Sequence, residues 1–342
     1  MTHRTAKNRA QSAVKEGKLF LWIAYNIWLL SEQAMRIVRP SSLVFFASLA
    51  VILGGTSAIV GAQTMTGGGW FGVVPILIVM WRGLRIPWRR WRVARHAFPP
   101  AWRLWLKDHV TFYDTLNGND RMRFERDVQF FLAEHTFEAV DGVELTDTLR
   151  LGVAAGAAML LHGRPNWELS TQRGILFYPG RFDEDYYDGD YAVYDGMVHA
   201  QGPVILSAPA VEQDWTQPGN GHNVVLHELA HLFDFEKSHA EGTPSLMDPA
   251  SARAWHKLVR REMRRIRLGK SLLRRYAATN QAEFFAVAVE NFFDRPELLK
   301  RRHPRLFDAL VAFFNLNPII GQGKLTAMPA DKEDSGFNSP AR

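Results

Sequence analysis

Apolar positions are distributed very unevenly along this chain. Residues 41–81 form a run of 41 without a single Asp, Glu, Lys, Arg or His. Within it, residues 42–63 are long enough to cross a hydrocarbon core of about 30 Å, which takes about 20 helical residues. Gly67, Gly68 and Gly69 mark a turn, and residues 70–81 follow as a shorter apolar stretch containing Pro75. Arg36 and Arg39 precede the run, while Arg82, Arg85, Arg89, Arg90, Arg92 and Arg95 follow it. Basic flanks stay in the cytoplasm, so two basic ends on one side require a hairpin of two crossings. Upstream, residues 19–30 are apolar and aromatic but number only 12, which predicts a helix lying in the membrane interface.

From Phe98 onward the pattern becomes that of a folded domain with its own core. Residues 121–138 place Phe124, Val128, Phe131 and Leu132 on one helical face, and residues 146–161 predict an Ala-rich helix. Residues 175–178 and 204–206 are short β-type runs bounded by Gly and Pro. Between them lies an acidic, Tyr-rich loop, residues 182–196, with Asp183, Asp185, Asp188, Asp190 and Asp195. Their spacing lacks the glycine and glutamate of an EF-hand loop, so a solvated hairpin tip is expected rather than a calcium site. Residues 280–293 form a mostly apolar helical segment, and the polar, Pro-containing tail from residue 326 is expected to be disordered.

Charge changes this picture in one respect. The net charge of +6 is the sum of +13 over residues 1–107 and −7 over the remainder, so the basic character belongs to the membrane-flanking third. Trp88, Arg89, Arg90, Trp91 and Arg92 therefore fit anionic lipid head groups, and the acidic remainder argues against nucleic acid as a partner. The absence of cysteine excludes disulfide scaffolds, Cys-ligated zinc and thiol nucleophiles.

The residues that carry chemistry lie between Gly221 and Asp234. His227 and His231 are four apart, which on a helix stacks both imidazoles on one side, where they can bind one Zn²⁺. Glu228 can take a proton from a water that the metal acidifies. Such an H-E-x-x-H segment also arises by chance in an amphipathic helix, but the apolar flanks Val224, Val225, Leu226, Leu229, Ala230, Leu232 and Phe233 predict burial, and buried histidines need partners. The metzincin pattern is excluded, because Asp234 and Lys237 stand where it requires Gly and His. A third ligand from the 280–293 helix would be the gluzincin arrangement. Glu283 and Glu290 share one face there; Glu283 could instead complete a capping box behind Asn280, and Glu290 could pair with an arginine. Asp234, one turn beyond His231, could orient an imidazole or cap a loop.

The ordered set 202–207, 227–234, Gly242, Thr243 and Pro244, 276–278 and 282–287 resembles the Mlc titration factor A family of zinc-dependent peptidases, over roughly residues 98 to 320. The resemblance implies one zinc per chain held by His227, His231 and Glu283, with Glu228 as base and Tyr276 beside the site. It also implies aminopeptidase-type activity, for which Glu184, Asp185 and Asp188 are candidate amine-binding acids, and raises a transcriptional repressor as partner. The 202–207 segment is expected to be an edge strand on which an extended peptide could pair.

The resulting expectation is an α+β, zincin-like (gluzincin-type) metallopeptidase domain with an N-terminal transmembrane helical hairpin. Its parts are a basic segment with the interfacial helix (1–40), the hairpin (41–86), a polybasic linker (87–97), the peptidase domain (98–325) and the tail (326–342). The expected protein is a zinc metallopeptidase anchored in the inner or plasma membrane with its catalytic domain in the cytoplasm. Its rival is a regulatory protein that keeps the fold and sequesters a transcription factor.

Overall fold

The computed structural model describes residues 46, 48–49, 51–56, 73–164, 167, 169, 174–180, 182–183, 193–194, 196–198, 202–233, 247 and 249–322. The chain divides into two compact units, Met1–Ala97 and Phe98–Arg342. In the first, helix α1 (Val73–Ala94) runs without a break from the apolar end of the uncharged run through the arginines that follow it, with Pro87 inside. The expected second crossing is thus the front part of a longer basic helix. Among the described residues no helix is long and apolar enough to cross a membrane. The interfacial helix at 19–30 and the tail lie outside the described residues, as does most of the expected first crossing, where 46, 48–49 and 51–56 are helical.

The second unit begins with α2 (Pro100–His109), α3 (Thr111–Thr115) and α4 (Gly118–Glu134), followed by β1 (Phe137–Ala139) and α5 (Asp147–Leu161). Asn117 and Thr146 cap α4 and α5 with side-chain oxygens that accept from first-turn N–H groups. The expected 121–138 helix stops earlier, because Thr136 O accepts from Ile175 N–H and draws the chain into a sheet. Strands β2 (Ile175–Tyr178), β3 (Phe182–Asp183), β4 (Val193–Tyr194), β5 (Gly196–Val198) and β6 (Val204–Ser207) come next.

β1, β2 and β6 are parallel neighbours, and β5 closes the sheet antiparallel to β6, in the order β1-β2-β6-β5. The segment expected as an edge strand, 202–207, therefore lies inside the sheet. Its open side is covered by β5, in the register Met197↔Ile205. β3 and β4 form a separate antiparallel pair, as expected for a hairpin, and the acidic residues 184–190 between them lie outside the described residues.

The remaining elements are helical: α6 (Ala208–Thr216), α7 (Val224–His231), α8 (Pro249–Arg267), a 3₁₀ turn (Arg275–Ala278), α9 (Gln281–Asp294), α10 (Pro296–Arg302) and α11 (Pro304–Phe314). α9 is the central rod of the core, with Phe284, Phe285, Phe292 and Phe293 buried. Trp255 of α8 and Phe313 of α11 meet Phe285 edge to face, at ring separations of 5.9 and 5.6 Å.

A buried polar knot ties α8 to the start of α11. Glu262 accepts from His303 Nδ1 at 2.7 Å and from Arg265 and Arg261 at 3.0 and 3.1 Å. Burial opposes its ionisation, yet the His303 hydrogen bond and the arginines hold the carboxyl below its ordinary value. A depressed folded value means that this stabilisation is present above the unfolded pKa near 4 and is lost as pH falls through the folded one. Glu262→Gln is expected to cost about 1.5–3 kcal/mol at pH 7, and to flatten the loss of stability below pH about 4. Urea unfolding across that range is the measurement; an acid limb unchanged from the parent would contradict the assignment.

Candidate metal centre

The site is built where α7 crosses α9. The first turn of α7 is secured by acceptors: Asn223 Oδ1 takes Leu226 N–H, Asp214 takes Val224 N–H at 2.6 Å, and Glu290 takes Asn223 N–H at 2.9 Å. Carboxylates at this end complement the exposed N–H groups and dipole of the helix. Just upstream, Gly221 has φ 78° and donates to Asp294, and an added Cβ would strike the Arg295 guanidinium. Only glycine suits that entry.

The four-residue spacing brings His227 and His231 onto one side of α7, with their Nε2 atoms 3.3 Å apart. Glu283, in the first turn of α9, approaches both: Oε2 lies 3.0 Å from His227 Nε2, and Oε1 lies 3.6 Å from His231 Nε2. One ligand atom from each of these three residues lies within 4.8 Å of the others. Asn280 caps α9 through Glu283 N–H, as the local sequence suggested, and this leaves the Glu283 carboxylate turned to the histidines. The capping contact and the approach to both histidines coexist in one residue.

Glu290, fully buried, takes the opposite side of the same imidazole. Its Oε1 accepts from His227 Nδ1 at 2.7 Å, while Arg274 grips both carboxylate oxygens at 2.7 Å. The arginine pair considered for Glu290 is therefore present. The donor relation also fixes the tautomer: with Nδ1–H given to Glu290, His227 Nε2 presents a lone pair to Glu283 and His231. Three lone-pair donors converging within hydrogen-bond distance need a cation among them. With protons alone, burial opposes the charge on His227, but the hydrogen bonds to Glu283 and Glu290 prevail and raise it to about 10. Glu283 moves the other way: burial resists ionisation, and the two histidines hold it well below the usual carboxylate range.

A divalent metal is the alternative cation. Tetrahedral zinc with ligand distances of about 2.0–2.1 Å sets its ligand atoms about 3.3–3.4 Å apart. The two imidazole nitrogens, 3.3 Å apart, match that value, and Glu283 reaches one with Oε2 at 3.0 Å and the other with Oε1 at 3.6 Å. Two imidazoles and one carboxylate thus form a donor set whose chemistry suits a divalent metal such as zinc.

Glu228 is 5% exposed, and burial pushes its carboxyl up, with the two histidines opposing. β5 packs against it: an added Cβ on Gly196 would lie 2.5 to 2.8 Å from the Glu228 side chain. Gly196 is a site residue the sequence did not reveal, since a glycine in an acidic loop carries no signal of what approaches it. Tyr276, on the 3₁₀ turn, is 38% exposed with its ring centroid 6.0 Å from that of His227, so it borders the open side. Asp234, Glu184, Asp185 and Asp188 lie outside the described residues.

Comparison with known proteins bears on the family of the chain. The family model for glucose-regulated metallo-peptidase M90 matches residues 85–315, a span containing every residue of this site. Uncharacterized protein slr2042 of Synechocystis sp. is 31% identical over 252 residues, 69% of this chain and 90% of the relative. Mlc titration factor A of Yersinia pestis and that of Yersinia pseudotuberculosis are each 28% identical over 224 residues, 60% of this chain and 80% of the relative. The resemblance read from the motifs is borne out, and the chain belongs to the glucose-regulated metallo-peptidase M90 family.

Proposed function

We propose that the second unit is a zinc-dependent peptidase that hydrolyses peptide bonds, with aminopeptidase activity as its mode. The observation that carries this reading is the convergence of His227, His231 and Glu283 on one point beside the buried Glu228. His227, His231 and Glu283 would hold the metal, and two imidazoles with one carboxylate suit zinc. Zinc, if bound there, would supply Lewis acidity for the scissile carbonyl and would lower the pKa of a water toward about 7.

The chain's own residues supply the rest. Glu228 accepts the proton of the attacking water and passes it to the departing amine, and a carboxyl raised by burial is better matched to proton transfer near neutral pH. Tyr276, on the accessible side, can donate its O–H to the developing oxyanion. Glu290 and Arg274 keep the His227 ring in its metal-facing tautomer.

The name of the Yersinia relatives favours a second reading, a protein of the same fold that titrates a transcription factor. Glu228 weighs against it, because a binder has no use for a buried base. Glu228→Gln is expected to lower kcat about 10²–10⁴-fold on a peptide library, with zinc content unchanged at one per chain. Chelation is expected to stop the parent enzyme, and zinc to restore it. Turnover by the variant at the parent rate would remove Glu228 from this role.

We further infer that the N-terminal unit holds the protein at the inner or plasma membrane, with the peptidase unit in the cytoplasm. The uncharged 41–81 run supports this, as do the exposed Leu77, Ile78 and Trp81 of α1 and the stacked Trp88 and Trp91 among its arginines. Compartment-sensitive reporters fused after Arg39 and after Arg95 are both expected to report cytoplasm. An exterior signal after Arg95 would move the peptidase to the other side.

A further inference from the structure

Residues 249–275 carry ten Lys and Arg against one acid, Glu262, within a region whose overall charge is negative. α8 sorts these charges by helical period. Trp255, Val259, Glu262 and Ile266 are buried on one face, and Arg253, Lys257, Arg260, Arg264 and Arg267 form an exposed stripe on the other. Arg261 and Arg265 are taken up by Glu262. Among the described residues Arg260 and Arg264 have no carboxylate partner, and Arg267 donates to Ala278 O at 3.2 Å.

A charged stripe on a helix is ordinarily a solvated face. Here its lower part is concave. Arg260, Arg264 and Arg267 line a cavity of about 850 Å³ together with His256, Asn280 and Gln281. That volume is typical of clefts that take a ligand, roughly 300–1,000 Å³. Gln281 Oε1 accepts from His256 Nδ1–H at 2.9 Å, which joins α8 to α9. Asn280 is the cap whose oxygen holds Glu283 N–H, so the basic groove and the metal-facing carboxylate share the first turn of α9.

We propose that this groove is a subsite for acidic side chains of the peptide substrate, in which Arg260, Arg264 and Arg267 receive carboxylates of residues flanking the bond to be cleaved. Guanidinium groups at i, i+4 and i+7 present neighbouring forks that match carboxylates in geometry as well as charge. The concavity and its junction with the Glu283 turn favour an extended peptide over a flat lipid surface or a nucleic acid. The proposal rests on the peptidase reading, and it adds a selectivity that the ligand set alone does not contain.

The test uses the full chain carrying Glu228→Gln, so that a bound peptide survives, and a pair of fluorescent heptapeptides that differ only in Glu against Gln at alternate positions. At low salt the Glu peptide is expected to bind about tenfold more tightly by anisotropy, and the advantage is expected to shrink as salt rises. Arg260→Gln with Arg264→Gln should bring the two affinities together. Arg253→Gln, on the same stripe but outside the cavity, should keep the preference. Equal binding of the two peptides, a preference that survives the double substitution, or a double variant that loses only the binding of a short RNA would each overturn the proposal. A zinc-loaded parent that cleaves no peptide would instead sink the peptidase reading, and the binding comparison would still decide what the groove takes.

Discussion

The clamp on His227 is the interaction on which the site depends. One imidazole is held from both sides by carboxylates of a single helix, Glu290 at Nδ1 and Glu283 at Nε2, seven residues apart on α9. Two turns of helix span about 10 Å, so the ring must lie between them and α7 must cross α9 at that level. Glu290 is buried and would be costly to ionise alone, but it receives His227, both arms of Arg274 and the backbone N–H of Asn223. Those donors come from two segments, α7 with its cap and the turn at Arg274, and each is positioned by the same carboxylate that it satisfies.

The surroundings follow from that constraint. The apolar body of α9 anchors it in the aromatic core, while Glu283 in its first turn is only half-buried. β5 brings a glycine against Glu228 and seals the base from one side, while the 3₁₀ turn leaves Tyr276 half open on the other. A carboxylate shielded by backbone on one side and a part-exposed tyrosine ring on the other define a site that is closed at its floor and accessible at its rim.

Much of this was legible in the sequence because helical spacing is a direct geometric statement. His227 and His231 at i and i+4 can only face one way on a helix, and Asn280 before an apolar run announces the start of α9. The choice between Glu283 and Glu290 was not legible from spacing, since both project toward the same ring. It takes three dimensions to see that each claims a different nitrogen. The interior position of β6 was hidden because its cover, β5, is a three-residue Gly-Met-Val strand with almost no pattern of its own. β1, equally short, vanished into the helix expected before it. The basic face of α8 was masked for another reason: a total of −7 over residues 108–342 averages away a local concentration of charge, although the stripe itself has an ordinary helical period.

The arrangement also explains how stability and chemistry share residues here. Asn280 caps the start of α9 beside the carboxylate that approaches both histidines, and Glu290 satisfies a helix N-terminus while fixing a tautomer. X-ray absorption at the zinc edge, on the full chain loaded with one equivalent of zinc, tests the central claim most directly. The expected spectrum has the scattering of two imidazole rings with the remaining ligands oxygen, at about 2.0–2.1 Å. A shell with one imidazole or none would place the metal elsewhere and contradict the account of His227, His231 and Glu283 as its ligands.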